Sequence, residues 1–147
     1  MTDHTQSNWH GIAGELKIFP LPDVSLGPVR IFADLDNKTI KIKGKIFNSG
    51  QEGRKAEVSS KVKGPGIKDK ADNFELQLSP GESEFELEID PGEELLPWDE
   101  FDPNLYTLEL ELRSGKETDQ LSETFGLRKV EAGPDGLKIN NLSLIHI

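Results

Sequence analysis

The chain of 147 residues has no cysteine, three histidines and one methionine. Without cysteine there can be no disulfide, no thiolate nucleophile and no cysteine-based zinc site. It leaves the compartment open. The histidines, His4, His10 and His146, sit near the two ends with no His-x3-His spacing, so a histidine-built metal site is not expected. No window approaches the roughly 18 apolar residues that a membrane-spanning helix needs. The opening "MTDHTQSNW" lacks the basic and apolar regions of a secretion signal. The sequence therefore reads as soluble and untargeted. Basic residues are scarce too: 17 against 27 acidic ones, a formal net charge of −10. Such a surface repels nucleic-acid phosphates and anionic lipid, and neither is expected as a partner. No Gly-x-Gly-x-x-Gly or Gly-Lys-Ser/Thr phosphate loop occurs, and no serine, histidine and acid suggest a triad.

What is present is period-two alternation. "TIKIKGKIF" puts Ile40, Ile42 and Ile46 on one face and Lys41, Lys43 and Lys45 on the other, as a half-buried strand requires. The pattern recurs in Phe74, Leu76 and Leu78; in Phe85, Leu87 and Ile89; and in Tyr106, Leu108, Leu110 and Leu112. Weaker strands are expected at Glu15 to Phe19, Val29 to Asp34, Ala56 to Val62 and Ser122 to Val130. Between them "NSGQEG", "KGPG", "SPGES", "DPGEE", "RSGKETD" and "AGPDG" supply glycine for positive φ and proline for fixed φ. No helix is expected. The fold class is all-β: an antiparallel, immunoglobulin-like or fibronectin-like β-sandwich of about seven to eight strands, with an open barrel as the alternative. Its core should hold Ile40, Ile42, Ile46, Val58, Val62, Phe74, Leu76, Phe85, Leu87, Leu108, Leu110 and Leu112.

Carboxylates are the one catalytic group in quantity. Glu109 and Glu111 share a strand face, about 6.6 Å apart at a rise of about 3.3 Å per residue. Such a separation suits an inverting glycosidase, but two acids pointing the same way from an exposed face cannot flank a glycosidic bond in a cleft. A solvated face is the better reading. Asp34, Asp36 and Asn37 in "DLDN" resemble the start of a calcium loop, yet Lys45 stands where the closing glutamate belongs, and a β-turn is expected. In "WDEFDPNLY" Trp98 and Tyr106 could stack a sugar while Asp99, Glu100 and Asp102 accept its hydroxyl protons. Pro97 and Pro103 bracket this stretch, which favours a structural corner between sheets, with Tyr106 opening the next strand and its ring buried beside Leu105. No catalytic, cofactor-binding or metal-binding residue is assigned.

At this corner the chain resembles a known family. "PWDEFDPNLYTLELEL" is similar to the segment of family two glycoside hydrolases in which tryptophan, proline and Leu-Tyr lead into a strand of alternating leucines. "ETFGLRKVE" resembles the Phe-Gly-x-Arg segment that ends the family's immunoglobulin-like domain, and "HTQSNWHGIAGELKI" resembles the junction with the preceding jelly roll, through Trp9, Gly11, Ile12 and Gly14. Pro97-Trp98 departs from the usual Leu-Trp, and "INNLSL" matches the family's Leu-Asn-Gly segment only loosely. The resemblance implies a parent that is a retaining β-glycosidase of β-galactosidase, β-glucuronidase or β-mannosidase type, β-galactosidase foremost. It also implies partner domains, a sugar-binding jelly roll before and a catalytic barrel after, with the catalytic glutamates in the barrel. Residues 1–14 would be a tail from the jelly roll, expected to be loose up to Asn8; 15–132 the sandwich; and 133–147 a linker with an end that could be foreign to the protein. The competing reading is a free-standing adhesin-like or carbohydrate-binding sandwich. An apolar patch suited to a neighbouring domain would favour the first, and an aromatic platform on an open face the second.

Overall fold

The computed structural model describes residues 14, 16–18, 20–67, 70–90, 92, 95–133, 136–140, 142 and 143. Seven antiparallel strands make two sheets. They are β1 (Val24–Asp34), β2 (Thr39–Asn48), β3 (Arg54–Lys63), β4 (Lys70–Leu78), β5 (Gly81–Ile89), β6 (Leu105–Ser114) and β7 (Glu117–Gly126). One sheet has the order β1-β2-β5 and the other β4-β3-β6-β7. The fourth strand thus pairs with the third, unlike the constant immunoglobulin arrangement, in which it pairs with the fifth. Three hairpins (β1-β2, β3-β4, β6-β7) stay within a sheet, while the connections after β2, β4 and β5 cross between sheets. A separate small sheet follows, β8 (Val130–Gly133), β9 (Gly136–Ile139) and β10 (Leu142–Ser143), in the order β10-β9-β8.

The alternating register holds as expected. Ile40, Ile42, Ile46, Val58, Val62, Phe85, Leu108, Leu110 and Leu112 are buried between the sheets, and Phe74, Leu76 and Leu87 pack half-buried against them. Lys41, Lys43 and Lys45 point outward to Glu86, Glu86 and Glu82 of β5. Within β2, Gly44 falls in the core phase with Ile42 and Ile46, and it must be small because the Phe85 ring of the opposite strand lies over it; a Cβ there would stand 2.4 Å from that ring. The aromatic ring fills the hole that the missing side chain leaves. Asn48, almost wholly buried, ties the β2–β3 and β4–β5 connections together: its Nδ2 donates to Glu52 O at 2.9 Å and to Ser79 O at 3.4 Å, and its Oδ1 accepts the Gly50 N–H at 3.1 Å.

β1 and β7 are the facing edges of the two sheets. No ladder joins them, so the fold is a sandwich and not the open barrel. Instead, two carboxylates of β7 in the core phase reach across to unpaired donors of β1. The Val24 N–H donates to Glu117 Oε2 at 3.1 Å and the Leu26 N–H to Asp119 Oδ2 at 2.7 Å. Inward charges, the proline Pro28 and a bulge between Leu26 and Val29 all deny β1 to a further strand.

Three expectations need correction. Leu16–Ile18 form no strand; Leu16 and Ile18 are 74% and 96% exposed, and Glu15 and Phe19 lie outside the described residues. Alternation alone is not enough where Pro20 and Pro22 remove ladder donors and the β1 edge is already capped. The strand expected at Ser122 to Val130 begins earlier, at Glu117, after a two-residue turn with Gly115 at φ 62° in its first position, as a type II′ hairpin requires. It ends at Gly126, and Val130 opens a different sheet. Leu105 is 53% exposed and not beside the buried Tyr106 ring, because successive residues of a strand face opposite ways. The tail expected over residues 1–14, loose up to Asn8, lies outside the described residues except for Gly14.

Candidate functional site

The connection from β5 to β6 must carry the chain from one sheet to the other, and "LLPWDEFDPNLY" does so as a tight corner. Trp98 and Pro103 form an antiparallel bridge, and the Asp99 N–H donates to Asp102 O at 3.2 Å. Asp99 is consumed by its own turn: its Oδ1 accepts the N–H of Phe101 at 2.8 Å and of Asp102 at 2.7 Å. The Asn104 amide donates to Pro97 O at 3.1 Å, so both sides of the turn are pinned. Phe101 stands at its tip, 87% exposed.

Tyr106 is fully buried at the start of β6. Its hydroxyl accepts the Leu96 N–H at 2.9 Å and lies 3.0 Å from Leu96 O and 3.1 Å from Pro65 O; the single phenolic proton serves one of these carbonyls at a time. This is a tyrosine corner, in which the ring holds the core while the hydroxyl fastens the backbone upstream. Burial pushes the phenol above its ordinary pKa of 10.0, partly offset by the bond from Leu96.

The segment Phe125 to Arg128 closes the corner from the far side. The Phe125 ring packs 5.8 Å from that of Tyr106. Gly126 leaves room for Trp98, since a Cβ there would stand 2.8 Å from Trp98 Cγ. The buried Leu127 accepts the Trp98 N–H through its carbonyl at 2.8 Å, and the Arg128 guanidinium lies 5.4 Å from the centre of the Trp98 ring. Asn140, at φ 49° in the turn between β9 and β10, adds a latch. Its Nδ2 donates to Trp98 O at 2.7 Å, its Oδ1 accepts the Lys129 N–H at 2.9 Å, and its own N–H donates to Lys129 O at 2.8 Å. Sequence reasoning missed Asn140; the paired asparagines of "INNLSL" were the only signal of a two-residue hairpin with positive φ.

The other candidates are dispersed. Glu109 and Glu111 point outward from β6, the first bonded to Lys63 at 2.6 Å and the second to Arg113. They line a shallow depression with Ser59, Lys61, Gln120 and Ser122. The outward positions of this larger sheet bear no aromatic side chain among the described residues. Asp34 spends its carboxylate on a turn, with Oδ1 accepting the N–H groups of Asp36 and Asn37 at 3.0 Å each and Oδ2 the Asn37 amide at 2.8 Å; the bonds from Asn37 hold its pKa below 3.8. Asp36 bonds Lys129 at 2.7 Å. Among the described residues no three His, Cys, Asp or Glu are grouped to hold a metal, and no helix is long and apolar enough to cross a membrane.

The residues that converge on this corner, Trp98, Tyr106 and the Phe125 to Arg128 segment, are also those of the resemblance. The sequence model of glycosyl hydrolases family 2 matches residues 24–128. The chain belongs to this family. Among solved structures it is similar to a Bacteroides uniformis β-glucuronidase, with TM-score 0.69 and 21% identity over 82% of this chain and 16% of that one. A Parabacteroides merdae β-glucuronidase gives 0.65 and 27% over 84% and 16%, and a putative β-galactosidase from Bacteroides fragilis 0.68 and 19% over 81% and 20%. The chain thus spans between 16% and 20% of the length of these three proteins. No curated protein matches it significantly.

Proposed function

We propose that this chain is a non-catalytic scaffold domain of a retaining β-glycosidase whose substrate is a β-glucuronide or a β-galactoside. On this reading residues 15–132 are the sandwich, 1–14 the end of a preceding jelly roll, and 133–147 the start of the path into a catalytic barrel. The observation that supports it is the fate of the family motif. Its aromatic residues and its Phe-Gly-x-Arg segment are spent on the corner between two sheets, where they fix the chain's exit. Retaining hydrolysis needs two carboxyl groups about 5–5.5 Å apart on either side of the bond, one of them shifted to act as an acid. Glu109 and Glu111 stand side by side on one face, each against a cation. They fit a solvated sheet surface.

The test compares this chain with the product of the reading frame followed downstream of Asn140. Both are incubated with chromogenic β-glucuronides, β-galactosides and β-mannosides. The 147-residue chain should turn over none, and the longer product at least one of the first two. Turnover by the short chain that survives purification and vanishes in Glu109→Gln or Glu111→Gln would overturn the reading.

A further inference from the structure

The sandwich has two open sides, and they are finished differently. On one, β1 and β7 face each other, and the bulge, Pro28 and the carboxylates of Glu117 and Asp119 deny that side to a further strand. On the other lie β5 and β4, the remaining edges of the two sheets. β5 is defended by charge. Its outward side chains are Glu82, Glu84, Glu86 and Glu88, so any antiparallel pairing of β5 with a copy of itself sets acid opposite acid. β4 is open. Its sequence "KADNFELQL" contains no proline or glycine, and its ladder to β3 runs from Leu78 to Lys70 without a register shift.

The residues of β4 suit one occupant. A two-fold axis perpendicular to a sheet pairs an antiparallel edge strand with its own copy about one central residue. Centred on Asp72 or Glu75, the pairing would set like charges face to face. Centred on Phe74, the midpoint of Lys70–Leu78, it uses the whole strand. It then sets Asn73 opposite Glu75, Asp72 opposite Leu76 and Ala71 opposite Gln77, each twice, with Phe74 opposite its own copy. From Ala71 to Gln77 no two charges of one sign oppose each other. Phe74 packs 5.9 Å from the Phe85 ring across the sandwich, yet it and Leu76 stay only half-buried at the rim. The same register would cover that apolar rim with the Phe74 and Leu76 of a second copy.

We propose that β4 is a self-association edge: two copies of this chain pair antiparallel about Phe74, and their four-stranded sheets become one continuous sheet. The contact is isologous and closes at a dimer. It does not depend on the glycosidase reading. The net charge of −10 on each copy opposes association, so the dimer should gain from added salt. Two probes read the register. Asn73 is exposed, so it can be changed without touching the core. Asn73→Glu places two like-charge pairs with Glu75 across the axis, and Asn73→Lys two opposite-charge pairs; Gln120→Glu adds the same charge on β7, at the far edge of that sheet. The second probe uses the absence of cysteine, with Asn73→Cys and Glu75→Cys made separately. Directly opposed residues stand within disulfide reach, whereas the two copies of either position would lie about 7–8 Å apart on the diagonal.

Sedimentation equilibrium of the 147-residue chain should show monomer and dimer in exchange. Asn73→Glu should weaken the dimer about tenfold and Asn73→Lys should tighten it about as much, the scale of two cross-strand charge pairs, while Gln120→Glu leaves it unchanged. An oxidised mixture of Asn73→Cys and Glu75→Cys should give a disulfide-linked dimer of one of each, in excess over what either variant forms alone. A chain that stays monomeric at every concentration and salt would overturn the proposal. So would a dimer that neither change at Asn73 moves, or one that each cysteine variant links equally well by itself. Species that grow beyond the dimer with concentration would overturn it in favour of β4 pairing with β5 of the next copy, a contact that does not close.

Discussion

The corner around Tyr106 and the outer face around Glu109 lie on the same strand and differ in almost every other respect. At the corner each group has several fixed partners: the Tyr106 hydroxyl is within hydrogen-bond distance of three backbone groups, and Trp98 is engaged through its N–H, its carbonyl and its ring. On the outer face Glu109 and Glu111 each meet one long, solvated cation. Both regions combine features that could suggest a sugar site. Buried, mutually dependent contacts cost far more to remove than exposed ion pairs, whose median worth is about 0–1 kcal/mol. Stability measurements can therefore separate them.

The largest effect is expected for Tyr106→Ala. Removing a fully buried aromatic ring should cost about 3–5 kcal/mol in urea unfolding, with enough loss of folded protein to see in the yield. Gly126→Ala should come next, at about 1–3 kcal/mol, because the new Cβ would lie on Trp98 and the corner is already packed. If Gly126→Ala left the unfolding midpoint unchanged, the Trp98 contact would not constrain the chain's exit.

The corner and the charged outer face of the smaller sheet should respond to opposite ends of the pH scale. Tyr106 has a folded pKa above its ordinary value, so its contribution is complete below about pH 10 and is lost as pH rises through the folded value. Glu86, held low first by its hydrogen bond from Lys43, contributes above its ordinary 4.5 and loses that contribution as pH falls further. Thermal unfolding of wild type and Tyr106→Phe between pH 8 and 11 should show the variant lacking the alkaline part of the decline. Added salt should weaken the surface contribution of the Lys43–Glu86 pair and leave that of the corner nearly unaffected.

The sheets were legible in the sequence because one face of each strand is dry and the other wet. Ile40 against Lys41, and Leu108 against Glu109, state the register by themselves. The corner was legible in part: two prolines and a tyrosine at a strand start imply a connection between sheets. Its far side was not. Nothing local says that Gly126 must be small for Trp98, or that Asn140 reaches back 42 positions, since these are properties of the folded neighbourhood. Alternation also misled at Leu16 and Ile18, because a pattern states which face would be buried and not whether an edge is free to pair. Glu117 and Asp119 show the converse. They break the apolar phase of β7, and the reason is visible only when β1 lies alongside with unpaired N–H groups.

The most direct test is one urea titration carried out on three proteins: wild type, Tyr106→Phe, and the double variant Glu109→Gln/Glu111→Gln. Tyr106→Phe keeps the ring and removes only the hydroxyl, leaving the Leu96 N–H without its partner. It should lose about 1–3 kcal/mol. The double variant should stay within about 1 kcal/mol of wild type. The reverse order, with Tyr106→Phe as stable as wild type and the glutamine pair strongly shifted in either direction, would contradict a structural corner and a solvated face.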